Sequence, residues 1–166
     1  MRKYETKYFG DFIVGKNEEE IVIETETSIT GKEQEISIMI KSVEKIFERI
    51  NICVKILDDY PKIYEIGKSI IEIEYGKNIE MKRFFQEIFG KYKGELLEKA
   101  FGVKNMEEVK IHELLKNINA PGIMFDIKNG NVKMELSYTF NDEMNELMAI
   151  ELDEKYEMKR INYYEV

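Results

Sequence analysis

The hydrophobic period of this chain changes twice, and those changes limit its fold more than any other feature. From Lys3 to Ile40 the period is two. Tyr4, Thr6 and Tyr8 share a face, then Ile21, Ile23, Thr25, Thr27 and Ile29 alternate with Val22, Glu24, Glu26 and Ser28. Alternation of this kind puts successive side chains on opposite faces of a strand. Gly10, Gly15 and the stretch Thr30-Gly31-Lys32 supply turns, and Ile36, Ile38 and Ile40 resume the alternation beyond the last of them. An N-terminal antiparallel meander is predicted.

From Ser42 the period becomes that of a helix. Val43, Ile46, Phe47, Ile50, Val54 and Leu57 make one apolar stripe, with Ser42 placed to cap the first turn. Asp58, Asp59 and Pro61 punctuate, because the residue before a proline leaves the α region and the ring suits a new first turn. The next helix should carry Ile63, Ile66, Ile70 and Ile73. After Gly76 and Asn78 comes a stripe of Met81, Phe84, Phe85, Ile88 and Phe89. A shorter helix from Glu95 to Phe101 ends at Gly102, Asn105 and Glu108 have the spacing of a capping box, and a last short helix is expected near His112 to Asn117.

Pro121-Gly122 switches the chain back to period two. Ile123, Phe125 and Ile127 alternate up to Asn129-Gly130, a dipeptide suited to the positive φ angles of a tight hairpin, and Val132, Met134, Leu136, Tyr138 and Phe140 alternate after it. Met148, Ile150 and Leu152 make a third strand, Asp153-Glu154-Lys155 a turn, and Tyr156 to Tyr164 a fourth. Strands, then helices, then strands predict an α+β fold. Its parts are N-terminal antiparallel strands, a central helical segment and a C-terminal antiparallel meander, with purely antiparallel neighbours and the helices packed on one face of the sheet. At 166 residues, with no internal repeat and no Pro/Gly/Ser-rich linker, one domain spanning 1–166 is expected.

The balance of 25 basic against 33 acidic residues, a formal charge of −8, repels phosphate backbones and attracts basic partners. Direct nucleic-acid binding is therefore not expected. No stretch approaches the roughly 18 consecutive apolar residues of a membrane span, and the first residues lack a signal-like apolar run, so a cytoplasmic location without membrane attachment is expected. Cys53 is the one cysteine and lies on the apolar flank of the first helix, where it reads as a packed small hydrophobe. His112 has no second histidine four residues on, and no glycine-rich phosphate loop or G-x-S-x-G elbow occurs. Neither a catalytic set nor a cofactor is predicted. Asp58, Asp59, Asp126, Asp142 and Asp153 leave a carboxylate- or metal-dependent enzyme as an alternative.

Two acidic clusters carry more information. Glu18, Glu19, Glu20, Glu24 and Glu26 lead into and occupy one strand, while Asp142, Glu143, Glu146, Glu151, Asp153, Glu154 and Glu157 crowd the last hairpin with only Lys155 among them. Such clusters either solvate a surface or steer a basic partner toward it, raising the association rate more than the final affinity.

The C-terminal half also carries a resemblance. Ile111-His112-Glu113-Leu114-Leu115-Lys116-Asn117-Ile118, Gly122-Ile123-Met124-Phe125, the Asn-Gly hairpin, Tyr138-Thr139-Phe140 and the run from Glu146 to Asp153 resemble small bacterial domains regarded as immunity proteins of polymorphic toxin systems. The opening Tyr4-Glu5-Thr6-Lys7-Tyr8-Phe9-Gly10 is similar to the start of the same group. The resemblance implies an α+β protein that binds a cognate toxin domain, occupying its active site or a site beside it, without chemistry of its own. A basic nuclease toxin suits the acidic charge, with the two acidic clusters as the interface. A structural, oligomerising domain is the remaining alternative.

Overall fold

The computed structural model describes residues 2–14, 21–29, 32–40, 45–128 and 131–165, and in them secondary structure changes where the hydrophobic period does. Strands β1 (Arg2–Thr6), β2 (Gly10–Val14), β3 (Ile21–Ile29) and β4 (Lys32–Ile40) come first. Helices α1 (Ile46–Asp58), α2 (Tyr60–Glu74), α3 (Ile79–Lys91), α4 (Glu95–Phe101) and α5 (Ile111–Asn117) follow, with a 3-10 turn at Met106–Glu108. Strands β5 (Gly122–Lys128), β6 (Asn131–Tyr138), β7 (Glu146–Asp153) and β8 (Met158–Glu165) close the chain. The fold is α+β as expected.

The N-terminal strands do not form one meander. β1 and β2 make a separate two-stranded sheet, whereas β3 and β4 open a six-stranded sheet of order β3-β4-β5-β6-β7-β8. One neighbour pair departs from the expected antiparallel pattern: β4 and β5 run parallel, with Ile38 opposite Phe125. Parallel neighbours need a crossover of a dozen or more residues, and the whole helical segment serves as that crossover. Local periodicity reports strand and helix but not which edge a returning strand joins. The Asn129-Gly130 dipeptide lies outside the described residues, and the strands flanking it pair Lys128 with Asn131.

The sheet buries one face. Ile36, Ile38 and Ile40, then Ile123, Phe125 and Ile127, then Val132, Met134 and Leu136 alternate with exposed or half-buried neighbours and join a single core cluster with the helices. α1 starts at Ile46, after Lys45 in a left-handed conformation (φ 54°); the cap expected at Ser42 and the stripe residue Val43 lie outside the described residues. Its buried residues include Ile46, Ile50, Cys53 and Leu57, while Phe47 is exposed and stacks on Tyr4, which stacks in turn on Phe12. Phe9 inserts from the β1–β2 hairpin edge-on to Phe125, and Lys7 and Tyr8 both hold Asp58 at the end of α1. The hairpin is thereby fastened to the helical layer.

The expected stripe of α2 slips by one position. Tyr60, Ile63, Gly67 and Ile71 are its buried residues, Ile66 and Ile70 are half-buried, and Ile73 is 55% exposed. Gly67 causes the slip, because α2 approaches β6 along a residue without a side chain. A Cβ there would stand 2.0 Å from the Tyr138 hydroxyl oxygen and 3.1 Å from Leu136 Cδ1. Asp59 precedes α2 without a side-chain cap; its backbone carbonyl accepts from the N–H groups of Lys62 and Ile63.

α3 matches the expected stripe, and the Asn78 side chain caps it by accepting from the Glu80 and Met81 N–H groups at 3.0 and 3.2 Å. Phe84, Phe85 and Phe101 gather around Phe140, drawing α3, α4 and the β6–β7 connection together. Each such pair adds about 0.5–1.5 kcal/mol beyond its buried area. Gly102 takes the left-handed conformation after α4 (φ 72°), as its place in the sequence implied. Asn105 and Glu108 meet differently from a capping box, since the Asn105 amide donates to the Glu108 carboxylate at 2.9 Å. The turn before β8 has no glycine. Tyr156 adopts φ 63°, the Asp153 carboxylate accepts from the N–H groups of Lys155 and Glu157, and the Lys62 ammonium sits 4.9 Å from the Tyr156 ring centre.

Replacing Gly67 by Ala should lower stability by about 1–3 kcal/mol, the usual cost of overpacking a filled core. The Tyr138 hydroxyl is buried and makes no hydrogen bond among the described residues, so Tyr138→Phe alone should be close to neutral. Combined, the two changes should recover part of the loss, with a coupling of about 0.5–3 kcal/mol in a double-mutant cycle followed by urea unfolding. Strict additivity would mean that some other contact requires the glycine.

Candidate functional site

The described helices pack on one side of the six-stranded sheet, so the other side carries every second residue of its strands outward. One cross-strand row spans the whole sheet: Glu24 lies opposite Ser37, Ser37 opposite Met124, Met124 opposite Glu135, Glu135 opposite Glu151 and Glu151 opposite Arg160. Acids and bases are divided unevenly along this face.

Toward β8 the acids are neutralised. The Glu151 side chain accepts from Lys133 at 3.0 Å and from Arg160 at 2.9 Å, and the residue is 7% exposed. Burial disfavours its charge, but the two cations overcome that and hold the carboxyl below its ordinary value of 4.5. Glu135 beside it is pushed upward, first by burial and further by the Glu151 charge, with Arg160 offsetting part of the effect. Asp153 pairs with Lys159 at 2.7 Å and caps its own turn; the lysine bond and the turn N–H groups draw its pKa down to about 2.

The rest of the C-terminal cluster is divided among separate partners. Glu146 is 5% exposed and accepts from Lys91 of α3 at 2.7 Å, and the same ammonium reaches Glu165 at 2.6 Å, which ties α3 to β7 and β8. Glu143 stands 3.7 Å from Lys99, and Glu157 3.3 Å from Lys159. Glu154 and Asp142 are exposed, each in a connection flanking β7. The sequence places only Lys155 among these acids. The fold brings Lys91, Lys99, Lys133, Lys159 and Arg160 to them from elsewhere.

Toward β3 the described acids have no cation partner among the described residues. Glu24 and Glu26 are exposed on the outward face of β3, and Glu26 stands opposite Glu35 of β4. Among the described residues, no cation comes within ion-pair distance of these three. Glu18, Glu19 and Glu20 lie outside the described residues. Sequence reading passed over Glu35, although a signal was present: a hairpin that sets Ile29 opposite Lys32 necessarily sets Glu26 opposite Glu35.

Two adjoining concavities mark this half of the face. The first, about 560 Å³, is lined by residues that include Glu24, Glu26, Glu35, Ser37, Met124 and Leu147. The second, about 640 Å³, shares Glu35, Gly122, Ser137 and Leu147 with it and extends to Asp142 and Asn141 in the β6–β7 connection. Their described linings contain five carboxylic acids, Glu24, Glu26, Glu35, Asp142 and Glu146, and no lysine or arginine. The two acidic clusters of the sequence, far apart in the chain, therefore each contribute to one continuous depression.

The other candidate groups stand apart from it. Asp58 is bound by Lys7 and Tyr8, and Asp59 lies 3.4 Å from Lys62. Cys53 is fully buried, which pushes its thiol pKa up, as suits a packed hydrophobe. His112 is exposed on α5, 3.7 Å from Glu113. Among the described residues no group of three or more His, Cys, Asp or Glu side chains is placed to hold a metal ion, and no helix is long and apolar enough to cross a membrane.

Glu146 and Glu151 give stability a defined acid dependence. A carboxylate held below its unfolded value adds stability above that value and loses it as pH falls through the folded one. Glu135, held above 4.5, contributes in the opposite sense, and its share is lost as pH rises through its raised value. Urea midpoints should therefore fall on acidification below about pH 4.5, the ordinary value of both depressed groups. Glu146→Gln should flatten that acid limb, and Glu135→Gln should raise the midpoint at neutral pH. An unchanged acid limb in Glu146→Gln would show that the Lys91 pair does not set it.

No protein-family model, curated protein or solved structure matches this chain.

Proposed function

We propose that this chain is an immunity-type binding protein, which neutralises a cognate basic toxin domain by covering the toxin's active site or a site beside it. One observation carries the reading: the chain pairs Glu146, Glu151 and Asp153 with its own cations yet leaves Glu24, Glu26 and Glu35 without a described partner beside a concave sheet face. Like charges held together on a folded surface cost stability, and an incoming cationic surface offsets that cost. The net charge of −8 adds a long-range field that favours the same class of partner. A nuclease is the fitting kind of toxin, because a surface that holds phosphates is basic.

The reading is tested by coexpression with the product of any toxin gene adjacent to the gene for this chain. Cells should survive when the chain is present at matched expression, and loss of growth despite its presence would remove the proposal. For the purified pair, the association rate should drop by about tenfold or more between low and high salt, while the dissociation rate changes little. A salt-independent association rate would mean that charge does not guide the encounter.

A further inference from the structure

The unpartnered sheet face fits one kind of occupant. We infer that the depression over β3 to β6 receives an extended protein segment with Lys or Arg at alternate positions, its cations seated on Glu24, Glu26 and Glu35. This inference rests on the binding-protein reading and narrows it to one surface and one shape of partner.

Charge and spacing together select the occupant. Side chains on one face of a strand repeat every second residue, roughly 6.6 Å apart, so Glu24 and Glu26 match cations at positions i and i+2 of an extended segment laid alongside β3. Glu26 and Glu35, directly opposite one another, have their Cβ atoms about 5 Å apart and can hold one ammonium or guanidinium between them. The opposite half of the same face offers nothing comparable, because Lys133 and Arg160 already occupy Glu151.

The floor is shaped for an occupant as well. Ser37, Gly122 and Ser137 are small, while the half-buried Met124 and Leu147 supply apolar contact, with methionine able to adapt its shape. Gly122 is not required by the fold. Its backbone lies outside the positive-φ region, and a Cβ there would meet nothing closer than the Glu35 carbonyl oxygen at 3.8 Å, an ordinary contact. Gly122 is the first residue of β5, and the consequence of its missing side chain is an open floor.

The probe is a synthetic peptide alternating Lys with Thr, with a Glu-Thr peptide as control, titrated into the isotope-labelled full chain and followed by amide chemical shifts. Shifts should concentrate at residues 24–26, 35–39 and 122–124 with the Lys peptide and be absent with the control. Glu24→Lys combined with Glu35→Lys should weaken binding by at least about tenfold, whereas Glu143→Lys combined with Glu154→Lys should change it by less than about twofold. Gly122→Val keeps every charge and suits a strand, so it should preserve the amide spectrum elsewhere and the thermal midpoint while also weakening the peptide by about tenfold. Shifts confined to residues 151–165, no response to the Lys peptide, or equal loss in both charge-reversal pairs would overturn the inference. Protection of cells by the unmodified chain together with no peptide response would reject this surface and leave the binding-protein reading standing; a mapped response without protection would do the reverse.

Discussion

Parallel pairing of β4 with β5 is the constraint on which the architecture depends. β4 buries Ile36, Ile38 and Ile40 and β5 buries Ile123, Phe125 and Ile127 toward the same side, and because the two run parallel the chain must leave the end of β4, cross over and return to start β5 in the same direction. The described helices, α1 to α5, lie within that single excursion, and their apolar stripes close over the face that Ile38 and Phe125 present. Gly67 sets how closely the layer can approach, because α2 rests on the Tyr138 ring there with no side chain between. A helical layer confined to one crossover covers one face of the sheet and leaves the other, with its acids and with Met124 and Leu147, uncovered by the described helices.

Consequences for charge follow from that asymmetry. Acids on strands β7 and β8 lie within reach of α3 on the covered side and of neighbouring strand cations on the open side, so Glu146 and Glu151 become part of the structure. Their burial is tolerable only because each is paired and hydrogen-bonded; removing Lys91 would leave Glu146 an uncompensated buried carboxylate, whereas Glu151 is held by both Lys133 and Arg160. Strand β3 sits at the far end of the sheet, beyond β4, and none of the described cations stands beside its outward acids. The same amino acid in the same kind of strand thus serves cohesion at one end of the sheet and faces solvent at the other.

Much of this was legible in the sequence, and what was not has physical reasons. The C-terminal hairpins, the α3 stripe, the Asn78 break and the Gly102 stop depend on nearest neighbours and backbone preference, and the structure follows them. The α2 stripe was misread because an apolar residue marks itself by hydropathy and a glycine contact does not. The parallel β4–β5 pair was missed because periodicity is blind to strand order. Among the candidate acids, clustering in sequence does not show the cations that meet Glu146 and its neighbours, which lie as far away as Lys91, 55 positions before Glu146. Nor does it show Glu35, which joins Glu26 only through hairpin register.

The division of labour on the open face has a kinetic reading within the proposed complex. Exposed acids act at range, over a screening length of about 8–10 Å at ordinary ionic strength, so Glu24, Glu26 and Glu35 govern how often a basic segment arrives. The floor acts only on contact. Met124 and Leu147 lose water when covered, at about 25 cal/mol for each Å² of apolar surface removed from solvent, and this part of the interaction is not screened by salt. Residence therefore depends on the shape that Ser37, Gly122 and Ser137 leave open, while encounter depends on charge. A surface built this way can change its partner's arrival rate by altering β3 and its residence time by altering β5, without any change to the covered face of the sheet.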